Sequence, residues 1–279
     1  MTTVGVALPR ARMSFAHTAR DTWVITRRNL LRNIRLPQLL LFATIQPVMF
    51  LLLFNYVFGG ALGSTLPPAA NGDYINWIVP GLLIQVATFG SGQTAVGLTE
   101  DLSKGVIDRF RSLPMARSAV LAGRTLADAI RNMLVIGLML TVGFVLGFRW
   151  QTNILGLVAA LAVAALFAYA LSWVMASIGL AVKTPEATQS AVFLPVFPLV
   201  FASSIFVPTQ TMPDWLRAFS DHQPITITAN ALRGLILGQD ALQGGQTVSG
   251  QVFLAIVWAV GVLVVFVPLA VRQYRRITD

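Results

Sequence analysis

Long apolar runs alternate with short polar segments along this chain, and each run is long enough to cross a lipid bilayer as a helix. About 20 apolar residues are sufficient for one crossing. The pattern therefore predicts an all-α integral membrane protein with six transmembrane helices in one domain, residues 37–279. Their approximate ranges are 39–58, 75–98, 118–148, 154–182, 188–207 and 252–271.

The segment before the first span, residues 1–36, is basic and amphipathic. It carries seven arginines and one acid. From residue 15 onward its apolar residues recur on one stripe of a helix, with Arg27 and Arg28 on the other side. We expect an interfacial helix with arginines at the lipid phosphates, and a disordered basic tail is the alternative. The stripe consists of Phe15, Ala19, Trp23, Thr26, Leu30 and Ile34, whereas Val24, Ile25 and Leu31 depart from it.

The interval before the last span has a different pattern. A helix start at Met212-Pro213-Asp214 is followed by a break at Asp221–Pro224, and the apolar segment Ile225–Leu237 is too short to span. Two short helices joined by a polar turn predict a re-entrant helical hairpin over 208–238, entering from the outer side.

Charge fixes the expected orientation and excludes one class of partner. Only 11% of the residues are charged, the mean hydropathy is +0.72 and the net charge is +9. With both termini in the cytoplasm, 17 of the 20 lysines and arginines lie inside, as the positive-inside rule requires. The basic residues flank apolar runs and form no single stripe, which argues against nucleic-acid binding.

Several chemistries are missing from the sequence. With Arg124, Asp128 and Arg131 assigned to the cytoplasmic end of the third helix, no span contains an ionisable residue, although ion-coupled transporters usually need one. Neither lysine closes a phosphate-binding loop, cysteine is absent, and His222 fits a turn better than a ligand set. We therefore expect no enzymatic activity and no bound cofactor or metal, so any ATP would be hydrolysed by a second polypeptide.

The densest mixed-charge segment runs from Glu100 to Pro114, between the second and third spans. It combines an acid pair, a central glycine and an aromatic residue between two arginines. Such a segment could form a short helix along the membrane face that contacts a soluble partner, or it could be an ordinary cytoplasmic loop. The candidate contact residues are Glu100, Asp101, Gly105, Asp108, Arg109, Phe110 and Arg111.

Polar and aromatic residues within the spans are candidates for a substrate path. The polar ones are Gln46, Asn55, Gln85 and Gln93. They must either hydrogen-bond between helices or face a wet cavity. The aromatic ones are Phe89, Phe193, Phe197 and Phe201, which could form an apolar gate or simply contact the core or lipid.

Six short motifs resemble the permease subunits of type-2 ATP-binding-cassette exporters, and above all the daunorubicin-resistance permease family of actinobacteria. The charged motif Asp108–Pro114 is the most specific of them. The others are Gln46-Pro47, Phe58-Gly59-Gly60, Pro80-Gly81, Gly147-Phe148-Arg149 and His222-Gln223-Pro224.

The resemblance implies a bacterial inner-membrane exporter assembled from separate subunits. Its permease would have the six spans, the interfacial helix, a cytoplasmic coupling helix over 100–114 and the outer hairpin. Two ATPase subunits, which bind ATP and Mg, would lie beneath two permeases. The two permeases would be either two copies of this chain or one copy with a paralogue. Both permeases would contact membrane lipids. The expected cargo is an amphiphilic lipid or lipophilic drug. Export of a lipid-linked glycan or wall polymer, and a non-transporting membrane scaffold, are the alternatives.

A coupling role for this segment predicts unequal effects of substitutions in it. A buried aromatic anchor at an interface contributes about 2 kcal/mol or more, whereas a charge at the rim contributes much less. Phe110→Ala should therefore weaken co-purification of the ATPase more than Arg111→Ala does. Lys104→Ala should have the smallest effect. Full efflux and full ATPase binding by Phe110→Ala, at equal protein amount, would favour the plain loop.

Overall fold

The computed structural model describes residues 15–35, 37–62, 66–70, 73–106 and 117–278, and within them the chain is helical without a strand. The all-α prediction is thus confirmed. Three single-turn 3-10 helices lie at Pro68–Ala70, Thr209–Thr211 and Gln239–Ala241. The α-helices are α1 (Phe15–Arg35), α2 (Pro37–Leu62), α3 (Tyr74–Ser103), α4 (Arg117–Val145), α5 (Ile154–Ala181), α6 (Pro185–Phe201), α7 (Asp214–His222), α8 (Pro224–Leu237) and α9 (Val248–Thr278).

Five of these helices are long and apolar enough to cross a membrane, and they match five of the six predicted spans. The qualifying segments are Leu41–Gly60, Tyr74–Ser103, Ser118–Val145, Ile154–Ala181 and Val248–Ile277. The predicted fifth span corresponds to α6, which has 17 residues and contains Pro195 and Pro198. That length is slightly below the ~20 residues of a typical crossing, so six spans remain a prediction.

The third candidate span contains three charged residues that the sequence reasoning assigned to its cytoplasmic end. It begins at Ser118 and so includes Arg124, Asp128 and Arg131, which the charge pattern placed before the membrane. In the structure, Arg131 lies beside Gly90, near the middle of α3. The bundle therefore contains ionisable groups deeper than the sequence indicated.

α3 is the central helix of the bundle. It packs against α2, α4, α5, α6 and α8. In its most apolar window 89% of the residues are buried, compared with 11% in the corresponding windows of α2 and α9. The two outer helices consequently present wide apolar surfaces, whereas α3 contacts protein on nearly every side.

Small residues allow α3 and α5 to approach closely. A Cβ atom on Gly179 would collide with the backbone of Ala95. At this contact the Thr99 hydroxyl lies 2.9 Å from the Gly179 carbonyl oxygen and 3.0 Å from the Thr188 hydroxyl. Small residues together with interhelical hydrogen bonds are the usual means by which helices associate in lipid.

α1 packs along α4 through a face that shares only Thr26 with the predicted stripe. Its buried residues are Ile25, Thr26 and Asn29, and Ile25 lies against Gly123, which has no side chain. Trp23, a member of the predicted stripe, is 58% exposed. Since Ile25 lay outside that stripe, close approach to Gly123 selects the protein-facing side. This leaves Trp23 exposed beside the exposed arginines Arg27 and Arg28.

The two short helices α7 and α8 are joined at Gln223, where the sequence predicted a break. Arg233 on α8 is fully buried and its guanidinium stacks 3.6 Å from the ring centre of Trp77 on α3. The guanidinium donates to the carbonyl oxygens of Ser204 (2.7 Å) and Ile205 (3.1 Å), which follow α6. One arginine thereby links α8, α3 and the end of α6.

Adding a methyl group at the α3–α5 contact should destabilise the bundle. Overpacking of a tight contact typically costs about 1–3 kcal/mol. Gly179→Ala should therefore lower the thermal unfolding temperature of the detergent-purified protein. Gly137→Ala is the matched control, because Gly137 also lies in a helix but has no atom within 4 Å of an added Cβ. Equal unfolding temperatures for the two variants would contradict this account of the packing.

Candidate functional site

A cavity of about 320 Å³ lies between α2, α3 and α4, and five of its twelve lining residues are polar. The sequence-predicted path residues Gln46, Gln85 and Phe89 line it, as does Gln93. Arg131 and Asn132 of α4 complete the polar wall. Asn55 is not among the lining residues. The structure thus brings together the polar residues of three helices and adds two residues that the sequence reasoning missed.

Three buried polar atoms at this cavity lack a hydrogen-bond partner. They are Gln85 Oε1, Asn132 Nδ2 and Arg131 Nε. The side chains of Gln85 and Asn132 are almost fully buried, at 2% and 1% exposure. An unpaired buried polar atom costs about 1–3 kcal/mol, so a cluster of three favours occupation by water or a ligand.

Glycines on α3 admit the polar side chains of α4. A Cβ atom on Gly90 would collide with the amide of Asn132, and one on Gly97 would collide with the guanidinium of Arg124. The Arg131 guanidinium also reaches this surface, where Nη2 donates to the Gly90 carbonyl oxygen at 2.9 Å. Gly90 therefore leaves space for the Asn132 side chain in the cavity wall, because a larger residue at position 90 would displace it.

A continuous row of phenylalanines begins at the cavity. Phe89 lines the cavity and lies 6.3 Å from Phe193, measured between ring centres. The row continues at 5.1, 4.4, 5.0, 4.5 and 5.2 Å between successive rings. We call this the aromatic row; its members in order are Phe89, Phe193, Phe197, Phe201, Phe206, Phe54 and Phe58.

Part of the aromatic row lies at the surface of the chain, whereas Phe206, where the row passes from α6 to α2, is buried. Phe193 and Phe197 are 52% and 42% exposed. The spacing of four residues on α6 predicted that Phe193, Phe197 and Phe201 share a face. The contribution of α2 was missed, although Phe54 and Phe58 have the same spacing.

An ion-pair network joins the end of α3 to α4. Arg124 contacts Asp101 through Nη1 and Asp128 through Nε, each at 3.1 Å from a carboxylate oxygen. Arg124 and Asp128 thus pair one turn apart on α4, whereas Arg131 extends toward Gly90 and the cavity. Asp101, a predicted contact residue of the charged segment, is thus buried against α4.

Other residues of the charged segment are more exposed or lie outside the described part of the chain. The Lys104 ammonium lies 3.3 Å from the Glu100 carboxylate. Gly105 has a φ of 65°, which suits glycine after a helix end. Residues 107–116 lie outside the described residues, and they contain Asp108, Arg109, Phe110 and Arg111.

The described residues contain no group of His, Cys, Asp or Glu that could hold a metal ion. The His222 ring nitrogen Nδ1 lies 2.8 Å from the Ala218 carbonyl oxygen, one turn earlier in α7. Nothing in this part of the chain therefore indicates metal chemistry. The candidate site consists of the polar cavity, the aromatic row and the ion-pair network.

Several long apolar helices with a polar cavity between them define a multi-pass membrane protein suited to transport. The chain belongs to the ABC-2 type transporter family, whose pattern matches residues 20–237. It is a transmembrane permease subunit of an ABC exporter, and the family places ATP hydrolysis in a separate ATPase subunit.

Three relatives illustrate the similarity. A daunorubicin resistance ABC transporter permease protein of Streptomyces coeruleorubidus is 34% identical over 240 residues, which cover 86% of this chain and 81% of that protein. A probable doxorubicin resistance ABC transporter permease protein of Mycobacterium tuberculosis is 28% identical over 84% of this chain and 80% of its own length. A putative transport permease of Cyanophora paradoxa is 25% identical over 77% and 73%, respectively.

Removing the Asp101 carboxylate should destabilise the junction of α3 and α4. The side chains of Asp101 and Arg124 are each 12% exposed, and a hydrogen bond to a charged group contributes about 1.5–3 kcal/mol. Asp101→Asn should thus lower the unfolding temperature markedly. Lys104→Gln is the control, because an exposed ion pair contributes about 0–1 kcal/mol. A larger loss in the Lys104 variant would contradict the assigned roles.

Proposed function

We propose that this chain forms the path by which an ATP-driven exporter moves an amphiphilic lipid or lipophilic drug out of the cytoplasm or the inner leaflet. The observation that carries the proposal is the aromatic row that starts at a polar cavity. An amphiphile has a polar end and an apolar end. The cavity suits the first, and the row suits the second.

The chemistry of the row favours an apolar cargo over a sugar polymer. All seven members are phenylalanine, and phenylalanine has no hydrogen-bonding group with which to hold a glycan. The names of the Streptomyces and Mycobacterium relatives refer to resistance to daunorubicin and doxorubicin, which agrees with a lipophilic cargo for those proteins. We extend that class of cargo, and no particular drug, to this chain.

The direction of movement follows from the proposed orientation in the bacterial inner membrane. The charge distribution favours cytoplasmic termini and six crossings, with α6 as the fifth. In that orientation α2 and α6 run outward. The cavity then lies near mid-membrane, and the row leads from Phe89 toward Phe58 at the outer ends of these helices. The hairpin of α7 and α8 would cover the outer side as a re-entrant element.

Coupling to the ATPase would begin at the cytoplasmic end of α3. Glu100 and Gly105 lie at the start of the charged segment, and Asp101 connects it to Arg124 on α4. Displacement of the segment by the ATPase would therefore act on both helices that line the cavity. In this proposal Asp101 transmits movement through the bundle, whereas Phe110 and its neighbours contact the ATPase.

The exposed aromatic row also suggests where a second permease would lie. Phe193 and Phe197 face outward, so a second copy or a paralogue could complete the path along α2 and α6. Trp23 with Arg27 and Arg28 would meet the membrane interface on the cytoplasmic side. Two ATPase subunits, which bind ATP and Mg, would lie beneath the pair.

Shortening the aromatic row should impair transport. We expect the double variant Phe197→Ala with Phe201→Ala to reduce ATP-driven movement of a fluorescent amphiphile about tenfold, since several ring contacts of about 0.5–1.5 kcal/mol each are lost. The measurement uses the permease–ATPase complex in proteoliposomes at equal protein amount. Phe253→Ala is the control, because Phe253 is an exposed phenylalanine on α9, away from the row.

Three outcomes would overturn the proposal. Unchanged transport by the double variant would exclude the row as the path. Movement of a lipid-linked glycan but of no lipid or lipophilic drug would favour the polymer-exporting alternative. A complex that moves nothing, while loss of the chain delocalises another protein, would favour a scaffold.

A further inference from the structure

We propose that the cavity between α2, α3 and α4 binds an anionic headgroup, a phosphate or carboxylate that also carries a hydroxyl group. The inference rests on the proposed function, because it names the charge class of the amphiphile that the cavity accepts. Three observations support the inference: the charge of Arg131 in the cavity wall, the unpaired polar atoms of its lining residues, and access to the cavity from the lipid.

The cavity has a positive charge in its wall and no lining acid to neutralise it. Among its described lining residues Arg131 is the single charged one. Asp128 lies one helical turn away, but its carboxylate is engaged with Arg124 at 3.1 Å. A guanidinium in a low-dielectric bundle attracts an anion much more strongly than it would in water.

The unpaired atoms match the remaining groups of such a ligand. Arg131 Nε and Asn132 Nδ2 are donors without partners, and oxygens of a phosphate or carboxylate accept from both. Gln85 Oε1 is an acceptor without a partner, which a hydroxyl group satisfies. Gln85 and Asn132 are almost completely buried, so the site is built into the bundle and is not a surface charge.

An amphiphile can reach the cavity from the lipid. α2 forms one wall, and its apolar window is only 11% buried; Phe42, on the rim of the cavity, is 70% exposed. The opposite wall contains Phe89, where the aromatic row begins. A headgroup held at Arg131 would therefore leave its acyl chain beside α2 or along the row. A resident phospholipid and a transported anionic amphiphile share this chemistry.

Headgroup selectivity can be measured by photolabelling of the permease–ATPase complex in phosphatidylcholine nanodiscs. Photoactivatable phosphatidylglycerol should label peptides of α2–α4 more than photoactivatable phosphatidylcholine does. Arg131→Gln should reduce this labelling about tenfold, because a charge-assisted hydrogen bond is lost. Arg131→Lys should retain part of it. Arg276→Gln, which removes an exposed arginine at the end of α9, should have no effect.

A second variant tests the hydroxyl contact independently of the charge. Gln85→Leu should reduce labelling by phosphatidylglycerol but not by phosphatidylmethanol, which has the same charge without headgroup hydroxyls. Equal labelling by the anionic and zwitterionic probes would overturn the proposal. So would labelling that falls equally in the Arg131→Gln and Arg276→Gln variants.

ATP-driven movement of fluorescent phosphatidylglycerol in proteoliposomes distinguishes the two sources of the headgroup. Movement that depends on Arg131 would identify the ligand as cargo. Charge-dependent labelling without movement would identify a resident lipid and still support the site. If the complex moves amphiphiles without regard to charge or to Arg131, the headgroup site is refuted and the exporter function stands. If the complex moves no amphiphile at all, the exporter function is refuted, and labelling alone decides the site.

Discussion

The close approach of other helices to α3 is the constraint on which the rest of this bundle depends. Lipid tails are as apolar as leucine, so burial of apolar surface alone does not drive helices together inside a membrane. Close packing and hydrogen bonds must supply the association. At Gly179 the backbone of α5 approaches Ala95, and Thr99 adds a hydrogen bond there. At Gly90 and Gly97 the space left by a missing side chain admits polar groups of α4.

Arg124, Arg131 and Arg233 lie within this bundle. Their surroundings differ, and the difference indicates which of them stabilise the fold and which one can bind a ligand. Arg233 has carbonyl acceptors and the face of Trp77, so its contacts hold α8 against α3 and the end of α6. Arg124 has two carboxylates, Asp101 and Asp128. Arg131 has one carbonyl oxygen and a cavity. A buried charge that the protein itself only partly satisfies is the feature expected of a site completed by another molecule.

The sequence predicted the positions of the helices better than it predicted which polar side chains lie inside the bundle. Apolar runs and prolines located the spans and the break before α8, because those signals are local. Arg131, which is partly buried, donates to Gly90, 41 residues earlier in the chain, and no local pattern reveals that contact. For the same reason the sequence did not show which side of α1 contacts protein, since contact with Gly123 determines it.

The candidate site shows the same division between local and long-range information. Phenylalanines spaced by four on α6 predicted part of the aromatic row, whereas its continuation through Phe206 to α2 required the fold. The network and the cavity also share a helix, because Arg124 and Arg131 lie about two turns apart on α4. A displacement at Asp101 would therefore act on the same rigid element that carries the cavity's charge. Under the proposed function, the nucleotide-driven movement and the affinity for a headgroup would be linked through the position of α4 relative to Gly90 and Gly97.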